Sequence, residues 1–365
     1  MSITQGNGVC PALLVGIEQI LDPNNPGSLK TAVGGVESLL DEENTRGVTI
    51  QQIGAGDNGH RKQVRVMHKQ RAITSDIGDE KTCGDGEEKP RFEDVYDVNL
   101  HAEHIIRVEE ATVRTLCDSY SELLKIPVKS RDSDGKALDY KMVMREIVEE
   151  MMMDMDPFRQ KINADFLSAV ALNLGKYTDG SSTKDFNVIK TADHAVVYQG
   201  YNILKQELRK IGMQGTPIIF GGGNLDLAFD SIGIGCCNDA GQNIGEIQKN
   251  AGFKFYRDYT DLDTPLGDPN AFVMFYAKAI QLLQFNKYVG SFASPIGNME
   301  RGTIPDPYLP GVRYDVRFKP NECGEYYDLY INFDYDFYFA PTNLFKTGDR
   351  LEGVNGILTG VATAI

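Results

Sequence analysis

The strictest pattern in the chain lies near its C-terminal end. From Tyr327 to Phe339 every odd position is apolar or aromatic, while the even ones are mostly acids, Asn or Tyr. Such period-two alternation predicts a strand with one covered and one open face. Residues Val312 to Phe318 lead up to it, and Lys319-Pro320-Asn321-Glu322-Cys323-Gly324-Glu325 reads as the loop of a hairpin. At about 3.3 Å per residue the second strand spans roughly 40 Å, against a usual length of five or six residues. A strand that long suits a thin, elongated subunit.

Elsewhere the period changes to three and four. Val113, Leu116, Cys117, Tyr120 and Leu124 predict a helix over the stretch that begins at His101. Residues 139–155 form a second helical stretch, and Asp156-Pro157 reads as cap and first turn of a continuation carrying Phe158, Ile162, Phe166, Val170 and Leu174 at steps of four. Together they predict a long helical spine. Asp193 caps a further helix with Val197, Tyr201, Leu204, Leu208 and Ile211 on one face, ended by Gly212. Thr216 to Phe220 is a short buried strand, Gly221-Gly222-Gly223 a turn, and Asn224 the cap of a helix with Leu225, Ala228, Phe229 and Ile232 inward. With strands at Phe253 to Tyr259 and Phe272 to Tyr276, the region 190–300 reads as an α/β module.

The N-terminal part is less periodic. Residues 1–47 are rich in Gly, Pro and Asn, with Asp22-Pro23-Asn24-Asn25-Pro26-Gly27 as a breaker cluster, and read as an extended arm that gains order by lying on its own body or on a neighbour. Val48 to Ile53 and Gln63 to Gln70 read as two strands joined by Gly54-Ala55-Gly56-Asp57-Asn58-Gly59. Too few apolar residues accompany this hairpin to bury both faces, which predicts a projecting flap that needs a partner. Its charge is split. Arg61, Lys62, Arg65, Lys69 and Arg71 have no acid among them, whereas residues 76–97 hold nine acids against Lys81, Lys89 and Arg91.

Composition adds limits. With 365 residues, 41% hydrophobic and 24% charged, the chain has enough apolar content to fold and enough length for two or three packing units. A net charge of −15 argues against nucleic-acid affinity built on charge, which needs dense Lys and Arg. Six scattered cysteines, at positions 10, 83, 117, 236, 237 and 323, lack the spacing of a disulfide scaffold and fit a reducing interior. No signal peptide is expected from the first residues, and no run of eighteen apolar residues predicts a membrane span.

Four constellations have residue types that carry chemistry elsewhere. Gly221-Gly222-Gly223-Asn224 sits between strand and helix, where free amides can hold a phosphate, yet its spacing matches neither dinucleotide nor P-loop fingerprints and no Lys or Arg follows. His101 and His104, three apart at a helix start, are close enough to share a metal but have no third ligand nearby in sequence. Cys236-Cys237 meets neither zinc nor redox spacing. Asp328, Asp334 and Asp336 share the polar face of the long strand, where cross-strand pairing with Arg313 and Arg317 is the simpler account. With no G-x-S-x-G or H-E-x-x-H, the expectation is a non-enzyme with no catalytic, cofactor-binding or metal residues.

The sequence of parts resembles the major capsid protein of tailed bacteriophages with the HK97 fold, over about 46–365. The stretch Leu266-Gly267-Asp268-Pro269-Asn270-Ala271-Phe272-Val273-Met274-Phe275-Tyr276, continuing to Leu283, looks like the late axial-domain strand and loop of that family. The stretch Lys346-Thr347-Gly348-Asp349-Arg350-Leu351-Glu352-Gly353-Val354-Asn355-Gly356-Ile357-Leu358 is similar to its closing segment. The resemblance implies an α+β, HK97-like fold. It divides the chain into an N-terminal arm (1–47), an extended E-loop hairpin (48–98), a peripheral domain with the spine helix (99–190 and 300–365) and an axial domain (191–299). It implies pentamers and hexamers closing a shell around double-stranded DNA in a virion assembled in host cytoplasm, with scaffolding, portal and decoration proteins as further partners and no membrane. Some members cross-link a hairpin Lys to an Asn with help from a Glu. Lys62 or Lys69 with Asn355 and Glu352 offer those residue types, but nothing in the sequence fixes their geometry and the chemistry is not carried over. Two rival readings remain, an encapsulin-type compartment shell and an α/β enzyme holding a phosphorylated ligand at 216–232.

Overall fold

The fold is described from a computed structural model, which describes residues 33–46, 48–53, 62–69, 91–109, 135–189, 216–228, 254–287, 293–296, 299–306, 308–309, 311–320, 326–340 and 355–364, and single residues between 200 and 210. Among these residues the protein is a mixed α+β fold of three sheets and few helices. The expected helix beyond residue 110, Asp193, Phe229 and Ile232, the acid-rich 70–90, all six cysteines and the segment 341–354 lie outside the described residues.

Helices α1 (Gly34–Leu39) and α2 (Glu42–Thr45) lead into a flap of β1 (Val48–Ile53), β2 (Gln63–Lys69) and β3 (Arg91–Asp97). Next come β4 (Leu100–Glu109), the long helix α3 (Gly135–Leu172), β5 (Thr183–Ile189), β6 (Pro217–Gly221), β7 (Lys254–Arg257) and α4 (Asp263–Leu266). The remaining strands are β8 (Ala271–Tyr276), β9 (Ile280–Phe285), β10 (Ala293–Ile296), β11 (Met299–Pro305), β12 (Arg313–Pro320), β13 (Tyr326–Phe339) and β14 (Ile357–Ala364).

The expected long strand is the axis of the largest sheet. β13 pairs antiparallel with β12 on one side and β4 on the other, and its last residues pair with β9. As alternation requires, Leu329, Ile331, Phe333, Tyr335 and Phe337 are all buried on one face. Against that face lies α3, with Phe158, Ile162, Phe166 and Val170 buried at the expected steps of four. Phe158 meets Tyr314 edge to face at 5.2 Å, and Phe166 lies 5.1 Å from Phe337. Near the first of these contacts the guanidinium of Arg159, wholly buried, donates from Nε to Asp306 Oδ2 at 2.8 Å and stacks 4.3 Å over Tyr308. Asp306 also accepts from Tyr314 Oη at 2.6 Å and from the backbone amides of Tyr308 and Leu309.

A second, five-stranded sheet runs β5-β14-β8-β6-β7. Its β14–β5 and β6–β7 pairs are parallel and the others antiparallel. It therefore joins strands from 183–189 and 357–364 to those of the α/β module.

Several expectations are corrected. Residues 100–109 are a strand, not the start of a helix: Ala102, Ile106 and Val108 are buried at even positions. Pro157 does not start a helix but sits inside α3, and Asp156 accepts from Gln160 instead of capping. The arm is not extended over 33–46. Val33, Val36 and Leu39 enter the main core, and Gly34 is needed because a Cβ there would lie 2.2 Å from the carbonyl oxygen of Arg257. The flap has three strands in the order β1-β2-β3 and lies on the body by one face. Val64 and Val66 are fully buried with Leu283, Phe285 and Tyr338.

Candidate functional site

The flap, β4, β9 and β13 meet at Asp334. Alternation places Asp334 on the face of β13 away from α3, beside Asp328, Tyr330 and Asn332. It was expected to face solvent, yet the residue is 1% exposed because the root of the flap covers it. Lys62, one residue before β2, donates to Asp334 Oδ1 at 2.5 Å, and His101 Nδ1 of β4 lies 2.6 Å from the same oxygen. Lys287, just after β9, brings Nζ to within 3.0 Å of Oδ2. Burial alone would raise the carboxyl pKa. The hydrogen bonds from Lys62 and His101 and the nearby Lys287 charge outweigh it and hold the pKa below the usual aspartate value. One buried anion thus ties together residues from three distant parts of the chain. Beside it opens a polar hollow of about 260 Å³ lined by Glu103, Asp315, Arg317 and Asn332 as well as the cations.

Beyond this junction, among the described residues, the same face of the sheet is more open, with the Arg107 side chain 61% and Ile105 47% exposed. The register sets Arg107 opposite Asp328 and Lys319, and Ile105 opposite Tyr330 and Arg317. Arg317 and Lys319 lie 4.7 and 4.8 Å from the centre of the Tyr330 ring, and Arg107 stands 5.8 Å from that of Tyr326. The acids here are mostly sunk into the sheet. Asp315 accepts from the Lys287 amide at 2.7 Å and Asp328 from Arg107 Nε at 3.1 Å. Cross-strand pairing therefore holds in kind, but Asp328 pairs with β4 rather than with Arg313 or Arg317. Arg317 instead approaches Glu103 at 3.8 Å, Arg313 donates to Thr303, and Asp336 accepts from Asn99.

The other candidates separate. His101 and His104 are three apart on a strand, so their side chains leave opposite faces and cannot share one ion. The Gly221–Asn224 turn is filled by its own chain. Gly223 has φ +58, a Cβ there would lie 2.2 Å from Asn270 Oδ1, and that oxygen accepts from the Asn224 amide at 3.0 Å. Asn224 does not cap the helix 224–228 but donates its side-chain amide to the Ala362 carbonyl. The position where a phosphate would accept from the first helical amides is thus taken by Asn270. Of the possible cross-linking types, Lys62 is held by Asp334 and Asn355 donates to the Asn173 carbonyl at 2.7 Å. Glu352 and the Lys69 side chain lie outside the described residues.

Sequence reasoning missed the Asp334 junction. Its one available signal was Lys62 at the start of a strand without acids, but Lys62 and Asp334 are 272 positions apart.

No family model and no curated protein matches the chain. The solved structures it is similar to include the asymmetric unit of the cyanophage A-1(L) capsid, at 11% identity over 92% of this chain and 94% of that one, with a TM-score of 0.43. The mature capsid of bacteriophage PhiM1 is similar at 11% identity over 84% and 83%, with a TM-score of 0.37. The capsid of Ralstonia phage GP4 is similar at 9% identity over 86% of each chain, with a TM-score of 0.35.

Proposed function

We propose that this chain is a structural shell subunit, the major capsid protein of a tailed bacteriophage, whose copies assemble into pentamers and hexamers around packaged double-stranded DNA without catalysing a reaction. The observation that carries this reading is the span of its two central elements. Helix α3 has 38 residues and so a length of about 57 Å at 1.5 Å per residue. Strand β13 has 14 and a length of roughly 46 Å. A compact globule of 365 residues has a radius of gyration of about 21 Å, hence a diameter of roughly 53 Å. One helix thus matches the whole width of such a globule. Laid against a long strand, it makes a tile, and a tile gains more by edge contacts with copies of itself than a sphere does.

In this reading residues 48–98 are the E-loop, 99–190 with 300–365 the peripheral unit and 191–299 the axial unit, with β5 and β14 carrying the sheet of the axial unit across that division. Residues 1–32 remain as the arm. The charge of −15 suits a container filled by a motor rather than one condensed on nucleic acid by basic arms. Negative-stain microscopy of the purified protein tests the proposal. Closed shells or five- and six-fold rings are expected; a stable monomer that binds a nucleotide in calorimetry would contradict it.

A further inference from the structure

We infer that residues 33–46 are a latch that fixes the angle between the two large sheets, and that Lys278, held by Asn44 in a strained backbone conformation, is the pivot about which the sheets turn when the latch opens. The latch acts within a single chain, whether or not the protein forms shells.

Lys278 is, among the described residues, the one residue other than glycine with a positive φ, at +75. In the left-handed region a Cβ crowds the neighbouring carbonyl oxygen, so glycine or asparagine is the usual choice. Lys278 stands in a turn closed by the Ala279 amide on the Tyr276 carbonyl at 2.9 Å, at the position where a positive φ favours Gly or Asn. Strain of this kind persists only where the surroundings over-determine it. β8 ends at Tyr276 in the five-stranded sheet, and β9 begins at Ile280 against β13 of the largest one. The strained turn therefore carries the chain directly from one sheet to the other.

What holds Lys278 comes from a distant part of the chain. Asn44, fully buried in α2, accepts from the Lys278 amide at 2.8 Å through Oδ1 and donates from Nδ2 to the carbonyls of Ile280 at 2.8 Å and Leu39 at 2.9 Å. Its own carbonyl accepts from the buried Gln281 Nε2 at 3.0 Å. Asn44 is thereby fastened to the start of β9. The other end of the same segment is fastened to the five-stranded sheet and to α3. Gly35 donates to Asp258 Oδ2, just past β7, at 2.7 Å, and Val36 donates to Asn163 Oδ1 of α3 at 2.9 Å. Asp41 accepts from Lys254 Nζ of β7 at 2.9 Å and from the Tyr256 hydroxyl.

One short segment thus bridges both sheets across the turn that joins them, and its buried Asn44 keeps the strained residue in place. Phe166 of α3 touches both sheets as well, lying 5.4 Å from Phe220 of β6 and 5.1 Å from Phe337 of β13. That contact is apolar and non-directional, so it keeps the sheets together while allowing a small slide. The hydrogen bonds of Asn44 are directional and fix one arrangement. Once they are lost, Lys278 relaxes to a negative φ, and the direction in which β9 leaves β8 changes with it.

The separation of the sheets tests this. Paramagnetic labels carried by unnatural amino acids at Ile105 of β4 and Asp185 of β5, both exposed and on different sheets, report it by pulsed electron resonance. The unassembled chain is used, and circular dichroism checks that each variant is folded. The wild type should give one distance, and Asn44→Ala should add a second component displaced by about 2 Å or more. Combined with Lys278→Gly, which adopts a positive φ without strain, Asn44→Ala should return to the wild-type distance, because no strain is left to relax. A folded Asn44→Ala with the wild-type distance overturns the inference. So does a double variant displaced as far as the single one, which would make Asn44 a packing residue only. Should Asn44→Ala fail to fold, Lys278→Val takes its place: it keeps Asn44, disfavours the positive φ further and should show the second component. A folded Lys278→Val with the wild-type distance then overturns the inference.

Discussion

The Asp334 junction makes a quantitative prediction about what holds the flap. Asp334→Asn keeps the shape of the side chain but removes its charge, and it turns an amide group toward Lys62, His101 and Lys287. A hydrogen bond to a charged group contributes about 1.5–3 kcal/mol when buried. The Lys62 and Lys287 side chains stay 33% and 42% exposed, so water screens them and each contact is worth nearer 0.5–1 kcal/mol. The junction should therefore lose about 2 kcal/mol, of which the flap's own share through Lys62 is about 1 kcal/mol. Hydrogen exchange of the unassembled chain reads this directly, because local opening populations follow these free energies. Amides of β2 and β3 should exchange between about five and thirty times faster in Asp334→Asn, and about fivefold faster in Lys62→Met, which removes only the flap's contact. Unchanged exchange in 63–69 and 91–97 would refute the anchoring role. An equal acceleration across β5, in the other sheet, would show that the anion supports the fold as a whole instead.

Other consequences follow from the same geometry. Asp306→Ala leaves the buried Arg159 charge with only the longer 3.6 Å approach to Asp156 and should cost about 3 kcal/mol in urea unfolding. Arg159→Met leaves Asp306 with two amides and the Tyr314 hydroxyl and should cost clearly less, so the reverse ranking would contradict the account. Gly223→Ala places a Cβ against Asn270 at a positive φ and should lower stability by about 2–3 kcal/mol, whereas Gly180→Ala, with φ +85 and open space around it, should cost only about 1 kcal/mol in the same melt. Because the Asp334 pKa is lowered by folding, its contribution is complete above the unfolded carboxyl value near 4 and is lost as pH falls through the lower folded value. Stability measured from pH 7 to pH 3 should drop less steeply in Asp334→Asn than in the wild type, and parallel curves would contradict the assignment.

Much of the frame was legible because local pattern and burial agree. The alternation of β13 and the four-residue steps from Phe158 to Val170 are each decided by one continuous partner surface, so a short window carries the signal. The misreadings have equally local causes. In 100–109 the burial of Ala102, Ile106 and Val108 has period two, but the polar His104 interrupts it, and the helical spacing that begins at Val113 was extended back over it. β3 was missed because Glu93, Asp94 and Asp97 mask the apolar signal of Val95 and Tyr96. The glycine-rich composition of 1–47 reads as an arm, though in the fold Gly34 allows α1 to press on the backbone of β7. The covering of Asp334 was not readable at all. Alternation tells which face a residue takes, and only the path of the chain tells that the flap root returns to that face.

The central claim is that this chain is a tile of a closed shell. Electron cryomicroscopy of the purified protein tests it most directly. The account predicts particles whose wall is built of five- and six-membered rings of this chain. A protein that remains monomeric across the concentrations used, with no rings and no shells, would contradict it.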